Sequence, residues 1–276
     1  MHHNLTKENF LVRKFFLFLF VVLMALTGCQ LQVRPSDEQH QQENVVLDRY
    51  DRVESQYLTL ADFAALHQMR TDYPQQTRTL IENVLQLGPV DDPDINNRLL
   101  LYFQDSTLQA IIDDVARQYE NTDMIEKQLV AAFHRLSVML PGVKMPHFYT
   151  QIGSLDQSIV VSDTLVGISL DKYLGEDYPA YIRYGYTPRQ RSMMTREYIV
   201  PDCLGFYLLS LFPMPENTDT LTDKRHFHMM KIQCVVNKVM DQRVFTNDSI
   251  LLLDKFFTAH SGYTTEQFLR LDSMPQ

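Results

Sequence analysis

His147-Phe148-Tyr149-Thr150-Gln151-Ile152 divides the sequence. For roughly a hundred residues before it, apolar side chains recur at helical spacing; here polar and apolar positions alternate among strong β-formers. Ser158-Ile159-Val160-Val161 reads as a second short strand and Leu165-Val166-Gly167-Ile168 as a third, with Gly153 and the Ser162-Asp163-Thr164 turn between them. Helical periodicity resumes afterwards. A small sheet among many helices is therefore expected, which is an α+β, helix-dominated fold.

Working outward, Val45, Val46, Tyr50, Val53 and Tyr57 could share one helical face, and Thr59 could cap a continuation through Leu60, Phe63 and Leu66. Ile81, Val84, Leu85 and Leu87 predict a short helix stopped by Gly88-Pro89. Asp94 can cap residues 95–104, and Ser106 with Gln109 has the spacing of a capping box for residues 108–119. Ile125, Leu129, Ala132, Phe133, Leu136 and Leu140 make a stripe ended by Pro141-Gly142. His134 beside it reads as a packed or surface histidine. Past the strands, the options are a helix capped by Thr195 and kinked at Pro201, or one that begins near Pro201. Asn247 can cap residues 248–259, and Thr264 with Gln267 forms a last capping box.

The amino-terminal end has a different logic. Lys7, Arg13 and Lys14 precede an uncharged apolar run over residues 15–26. A helix needs roughly 20 apolar residues to cross a bilayer, so this shorter run reads as the core of a cleavable secretion signal. Leu26-Thr27-Gly28-Cys29 then resembles a bacterial lipobox. Small residues suit a peptidase pocket, and Cys29 offers a thiol for diacylglycerol. Two or more acyl chains hold a protein stably where one is marginal. Residues 30–44 are polar and Gln-rich, with too little apolar surface to order themselves. The expected organisation is a signal peptide over 1–28, a flexible tether over 29–44 and a single helix-rich globular domain over 45–276.

Composition narrows the function classes. After Cys29 the chain keeps 22 basic residues against 33 acidic ones, a formal charge of −11. Phosphate backbones need clustered Lys and Arg, so nucleic acid is an improbable partner, and lipid contact is expected through Cys29 alone. Cys203 and Cys234 could pair in an oxidising compartment, but their apolar contexts favour two buried free thiols. Asp171, Glu176 and Asp177 lack the alternate spacing of a calcium loop and read as a solvated turn. His226 and His228 lie about 200° apart on a helix, so they do not share a metal with Cys234. No nucleophile elbow, phosphate loop or dinucleotide fingerprint is present in the sequence.

Three strings carry a resemblance: Met145-Pro-His-Phe-Tyr149, Leu170-Asp-Lys-Tyr-Leu-Gly175 and Glu197-Tyr-Ile-Val-Pro-Asp202. Together with the lipobox they resemble the GldB-type gliding-motility lipoproteins of gliding bacteria and their non-gliding relatives. The resemblance implies a cell-envelope lipoprotein associated with motility and secretion machinery. That family is in turn distantly similar to predicted zinc proteases of the zincin type, so a degenerate zincin-like arrangement is implied.

A zincin places two histidines one helical turn apart, with a glutamate between them to polarise the metal-bound water. In this chain Arg196 and Val200 stand at the ligand places and only Glu197 remains. Neither arginine nor valine is a neutral nitrogen donor, so no metal and no cofactor is expected. The reading is a non-catalytic interaction or assembly component that meets other envelope proteins, with Tyr178, Tyr181, Tyr184 and Tyr186 as an interaction surface or, alternatively, a core-facing cluster. The competing reading is a zincin-like peptidase or hydrolase that recruits ligands such as His147 or His226. Gln30 after Cys29 favours the outer membrane, on its periplasmic side.

Overall fold

The computed structural model describes residues 47–214, 221–260 and 262–273. The expected signal peptide, Cys29 and the tether lie outside the described residues. The sheet has four strands in the order β1-β2-β4-β3: β1 Leu47–Asp48, β2 His147–Gln151, β3 Ile159–Val161 and β4 Leu165–Ser169. β1 and β4 both run parallel to the central β2, and β3 returns antiparallel on the edge of β4. The three expected strands are present at their expected places. β1 is a correction: its residues lie in what reads as a continuous helical face, yet Leu47 and Asp48 pair with Phe148 and Tyr149. Pairing with a distant strand overrides a local pattern that is too short to insist on either state.

Twelve helices accompany the sheet among the described residues: α1 Tyr50–Leu60, α2 Phe63–Thr71, α3 Pro74–Arg78, α4 Ile95–Tyr102, α5 Ser106–Gln118, α6 Asp123–Met139, α7 Pro179–Arg183, α8 Pro188–Arg191, α9 Ile199–Leu211, α10 Leu221–Met240, α11 Asp248–Ala259 and α12 Thr265–Leu269. α3 continues as a π-helical turn, Thr79–Val84, and Gln86 at φ 52° then breaks the run before Gly88. The class is α+β and helix-dominated, as the periodicity predicts. No described helix is long and apolar enough to cross a membrane.

Capping chemistry sets most helix starts. The Asn247 side chain accepts from the Ile250 amide, and Thr264 and Gln267 form the expected reciprocal box. Three caps differ from expectation. Asp105, not Ser106, caps α5, because its carboxylate accepts from both Thr107 and Leu108 amides. Gln109 is freed to donate its amide to Phe103 O at 2.7 Å and Leu58 O at 3.3 Å. Thr59 lies inside α1, bonded to Ser55 O, and Asp62 caps the following helix. Asp94 occupies the cap position of α4 without a side-chain bond to the helix amides.

One core cluster runs from Leu47 to Leu269, and α6, α9 and the sheet meet within it. The α6 stripe Ile125, Leu129, Ala132, Phe133 and Leu136 is buried as its spacing predicts. Phe133 meets Phe148 of β2 at 5.0 Å and Tyr207 of α9 at 5.2 Å, both edge-on. Each such pair adds about 0.5–1.5 kcal/mol beyond area burial. At the sheet's centre Tyr149 lies over Gly167, where a Cβ would meet the Tyr149 ring at 2.5 Å. Cys203 and Cys234 are both buried and free.

Candidate functional site

Where β2 and β4 end, the chain concentrates its buried polar groups. Leaving β2, residues Ser154 and Leu155 take left-handed backbone angles, φ 56° and 64°, a conformation that L-residues resist. Asp171, fully buried just past β4, holds this turn: one carboxylate oxygen accepts from Gly153 N at 2.8 Å and the other from Leu155 N at 2.5 Å. Gly153 is required beside it, because a Cβ there would lie 2.7 Å from Ser169 Oγ. Burial pushes the Asp171 carboxyl up, and the two amides oppose that shift. Asp171 is thus a correction to the solvated turn, which holds only for the exposed Glu176 and Asp177.

The rest of the Leu170–Gly175 string works on the same junction. Lys172 donates to Leu155 O at 3.1 Å and to Tyr186 Oη at 3.0 Å. The Leu174 amide donates to Tyr181 Oη, which itself donates to Asp171 O at 2.6 Å. Gly175, at φ 115°, turns the chain so that its amide reaches Met194 O. Tyr173 donates to Asp202 Oδ2 at 2.8 Å. That bond joins two of the strings singled out in the sequence, one from the end of β4 and one from the first turn of α9. Burial pushes the Asp202 carboxyl up to about 7, while the Tyr173 hydroxyl pulls the other way.

From α1, Glu54 adds a fully buried carboxylate whose Oε2 accepts from Ile152 N at 2.9 Å. Burial, before any charge effect, raises its pKa well above the ordinary range. Asp51, one turn earlier, is gripped by both arms of Arg49 at 2.8 Å and accepts from Thr150. Neither carboxylate figured among the candidates from sequence. The available signal was position: Glu54 is four residues after Tyr50 and three before Tyr57, on the face that the tyrosines bury. Glu54, Asp51 and Asp171 grip backbone amides or an arginine, so they act as internal struts for the strand ends.

The Arg196–Val200 segment, expected as a degenerate zincin-like motif, is divided between two structures. Arg196–Tyr198 forms a 3-10 turn, and α9 begins only at Ile199, with Pro201 in its first turn where the missing amide costs nothing. The helix start near Pro201 is the option realised. Val200 is buried, Glu197 is exposed, and Arg196 reaches Asn121 O at 3.0 Å with its guanidinium 5.4 Å from the Tyr119 ring centroid. The Thr195 hydroxyl is the main cause holding the Glu197 carboxyl below its ordinary value; the charge of Arg196 is a smaller one. His147 and His226 are exposed. His228 is buried against Phe212 O at 2.8 Å, and burial lowers its pKa. Among the described residues no group of three or more His, Cys, Asp or Glu is placed to hold a metal.

The four tyrosines separate by environment. Tyr181 is fully buried and edge-on to Tyr178 at 5.1 Å and Tyr186 at 5.9 Å. Tyr178 donates to Asp114 and Tyr186 to Leu155 O. Only Tyr184, 53% exposed, is available to a partner. The surface reading therefore loses Tyr181, and the core-facing alternative describes it. A cleft of about 330 Å³ lies elsewhere, between Phe212, Phe227, Lys231 and Leu269. Lys231 there donates to Leu269 O and Leu271 O, and burial lowers its pKa to about 8.

These features define a helix-dominated α+β protein whose buried acids brace strand ends and whose Arg196–Val200 segment is split across a 3-10 turn and a helix. The chain belongs to the family of the gliding motility protein GldB, whose model matches residues 32–241. It is therefore a gliding-motility-related protein of a lipoprotein family, with the cell-envelope association that this carries. No curated protein and no solved structure matches it.

Proposed function

We propose that this chain is a lipid-anchored envelope protein that works by contact, as a non-catalytic assembly component. Cleavage before Cys29 and acylation of its thiol would leave residues 29–44 as a leash and residues 45–276 as the working domain. The outer membrane, on its periplasmic side, is the proposed place, because residue 30 is Gln and no charged export run directly follows Cys29. Envelope proteins are the proposed partners; nucleic acid is not.

The observation that carries the non-catalytic reading is the division of the string over residues 196–200. A metal-holding helix needs both ligand positions on one face and a glutamate turned toward the metal. Here Val200 is in the core, Glu197 faces solvent, and Arg196 is occupied by Asn121 O. The hydrolase alternative would need His147 or His226 to converge with further ligands, and the described residues offer no such set.

The test is mass spectrometry of the mature amino-terminal peptide together with fractionation of cells expressing the chain and Cys29→Ser. Acylated Cys29 and a membrane fraction emptied by the substitution are expected. An unmodified thiol, or release of the unaltered protein by buffer alone, would overturn the proposal.

A further inference from the structure

Leu60, 74% exposed, and Phe63, 81% exposed, stand at the elbow between α1 and α2. A left-handed Ala61, φ 50°, turns the chain there, its amide held by Tyr57 O at 2.9 Å. Asp62 starts α2 by accepting from the Ala64 amide at 2.8 Å, and its own carbonyl accepts from Leu66 N. These bonds fix the backbone, and the exposed side chains that it carries outward are Leu60, Ala61, Phe63 and Ala64. From α4, Leu101 is 63% exposed; it stands two residues before Phe103, whose carbonyl shares the Gln109 amide with Leu58 O. Between Ser55 and Met69 the one Asp, Glu, Lys or Arg is Asp62. Asp62 and, across the Gln109 bond, Asp105 both direct a carboxylate oxygen at helix amides. Arg70, near the far end of α2, bonds Asn96 Oδ1.

We infer that this elbow is a second membrane contact, besides Cys29, and that its occupant is the apolar boundary of the bilayer to which the chain is tethered. The inference rests on the lipid-anchored reading given above and fixes how the domain faces the bilayer. Reach selects this occupant. Cys29 and Leu47 are 18 positions apart, so a flexible leash between them spans ~20–25 Å. Leu47 leads directly into α1, whose 11 residues carry the chain ~16 Å to the elbow. The elbow therefore falls within the leash's reach of the bilayer, at an effective concentration that lets a weak contact form. Shape selects it too: an exposed apolar turn enters the acyl boundary at any point, whereas a protein partner must supply a matching hollow. Scarcity of charge agrees, because charges entering hydrocarbon are costly and a protein surface can pair them. The formal charge of −9 opposes anionic lipid, so apolar burial and not electrostatic attraction drives the contact.

The chain has no tryptophan, so Phe63→Trp gives it a single reporter. Leu252→Trp on α11, where the native side chain is 61% exposed, gives the control. The mature acylated proteins are reconstituted into phosphatidylcholine vesicles, floated, and compared with the same vesicles carrying brominated acyl chains. The Phe63→Trp reporter should be blue-shifted relative to its Cys29→Ser counterpart in buffer and quenched by bromine, while the Leu252→Trp reporter is neither. Leu60→Ser added to Phe63→Trp should lower the ratio of inserted to free elbow ~tenfold, with an unchanged melting temperature. Protein that floats with the Phe63→Trp reporter unquenched, or with both reporters quenched alike, overturns the inference and leaves the tether standing. Quenching that Leu60→Ser does not change also overturns it. Protein that fails to float overturns both.

Discussion

Asp202→Asn tests whether the junction of the two recognised strings is structural. Asp202 is ionisable, half-buried and bonded to Tyr173, with a folded pKa of about 7 against an ordinary carboxylate value of 3.8. A carboxyl whose folded pKa is raised binds its proton more tightly in the folded state. Its contribution is fully present below the unfolded value and is lost as pH rises through the folded value. About three pKa units at ~1.4 kcal/mol each give ~4 kcal/mol lost between about pH 4 and about pH 8. At ~2–4 °C per kcal/mol for a domain of this size, that is ~8–16 °C in melting temperature. Asparagine keeps an oxygen for Tyr173 and has no such titration, although its amide needs a partner at a cost of ~1–3 kcal/mol. Urea melts of both proteins at several values across that window measure the difference. The wild-type curve should fall relative to the variant as pH rises, and the two should cross between about pH 4.5 and pH 6, with the variant the more stable near neutrality. Parallel curves would refute the assignment of a proton-binding Asp202 with a raised pKa.

Asp171→Ala should leave the Gly153 and Leu155 amides without acceptors, a loss of ~2–6 kcal/mol, read by thermal melting; a loss under ~1 kcal/mol would show that the turn does not depend on it. Tyr181→Phe should cost ~1–3 kcal/mol by stranding the Leu174 amide, while Tyr184→Phe should be neutral within ~0.5 kcal/mol, and equal effects would contradict the core placement of Tyr181. Phe133→Ala, which removes the edge-on contacts to Phe148 and Tyr207, should cost ~3–5 kcal/mol in denaturant melts. Glu197→Gln should leave stability within ~0.5 kcal/mol and membrane association unchanged, because the side chain is exposed; loss of function without loss of fold would argue for chemistry at that residue.

The sheet and most helices were legible because their residues carry strong local signals. The adjacent β-formers Phe148, Tyr149 and Thr150 mark β2, although residues 148–151 are all buried where alternation is expected, and the caps at Asn247 and Thr264 act within three residues of themselves. β1 was not legible, since two residues have no period, and only the distant β2 makes them a strand. Asp105 took the cap from Ser106 because a carboxylate one residue earlier reaches two amides at once. The polar junction was half legible. Its strings stood out, but nothing local says that Asp171 folds back on Gly153 and Leu155, or that Tyr173 meets Asp202 across 29 residues. Glu54 was hidden by the habit of assigning charged residues to solvent; its burial follows from the tyrosines on either side of it and from the Ile152 amide that it accepts.

The proposed non-catalytic reading, with residues 196–200 divided between a 3-10 turn and α9, predicts a protein that holds no catalytic zinc. Elemental analysis of the mature protein, purified without chelator and dialysed against metal-free buffer, should return zinc far below one ion per chain. Stoichiometric zinc that survives dialysis would contradict the account.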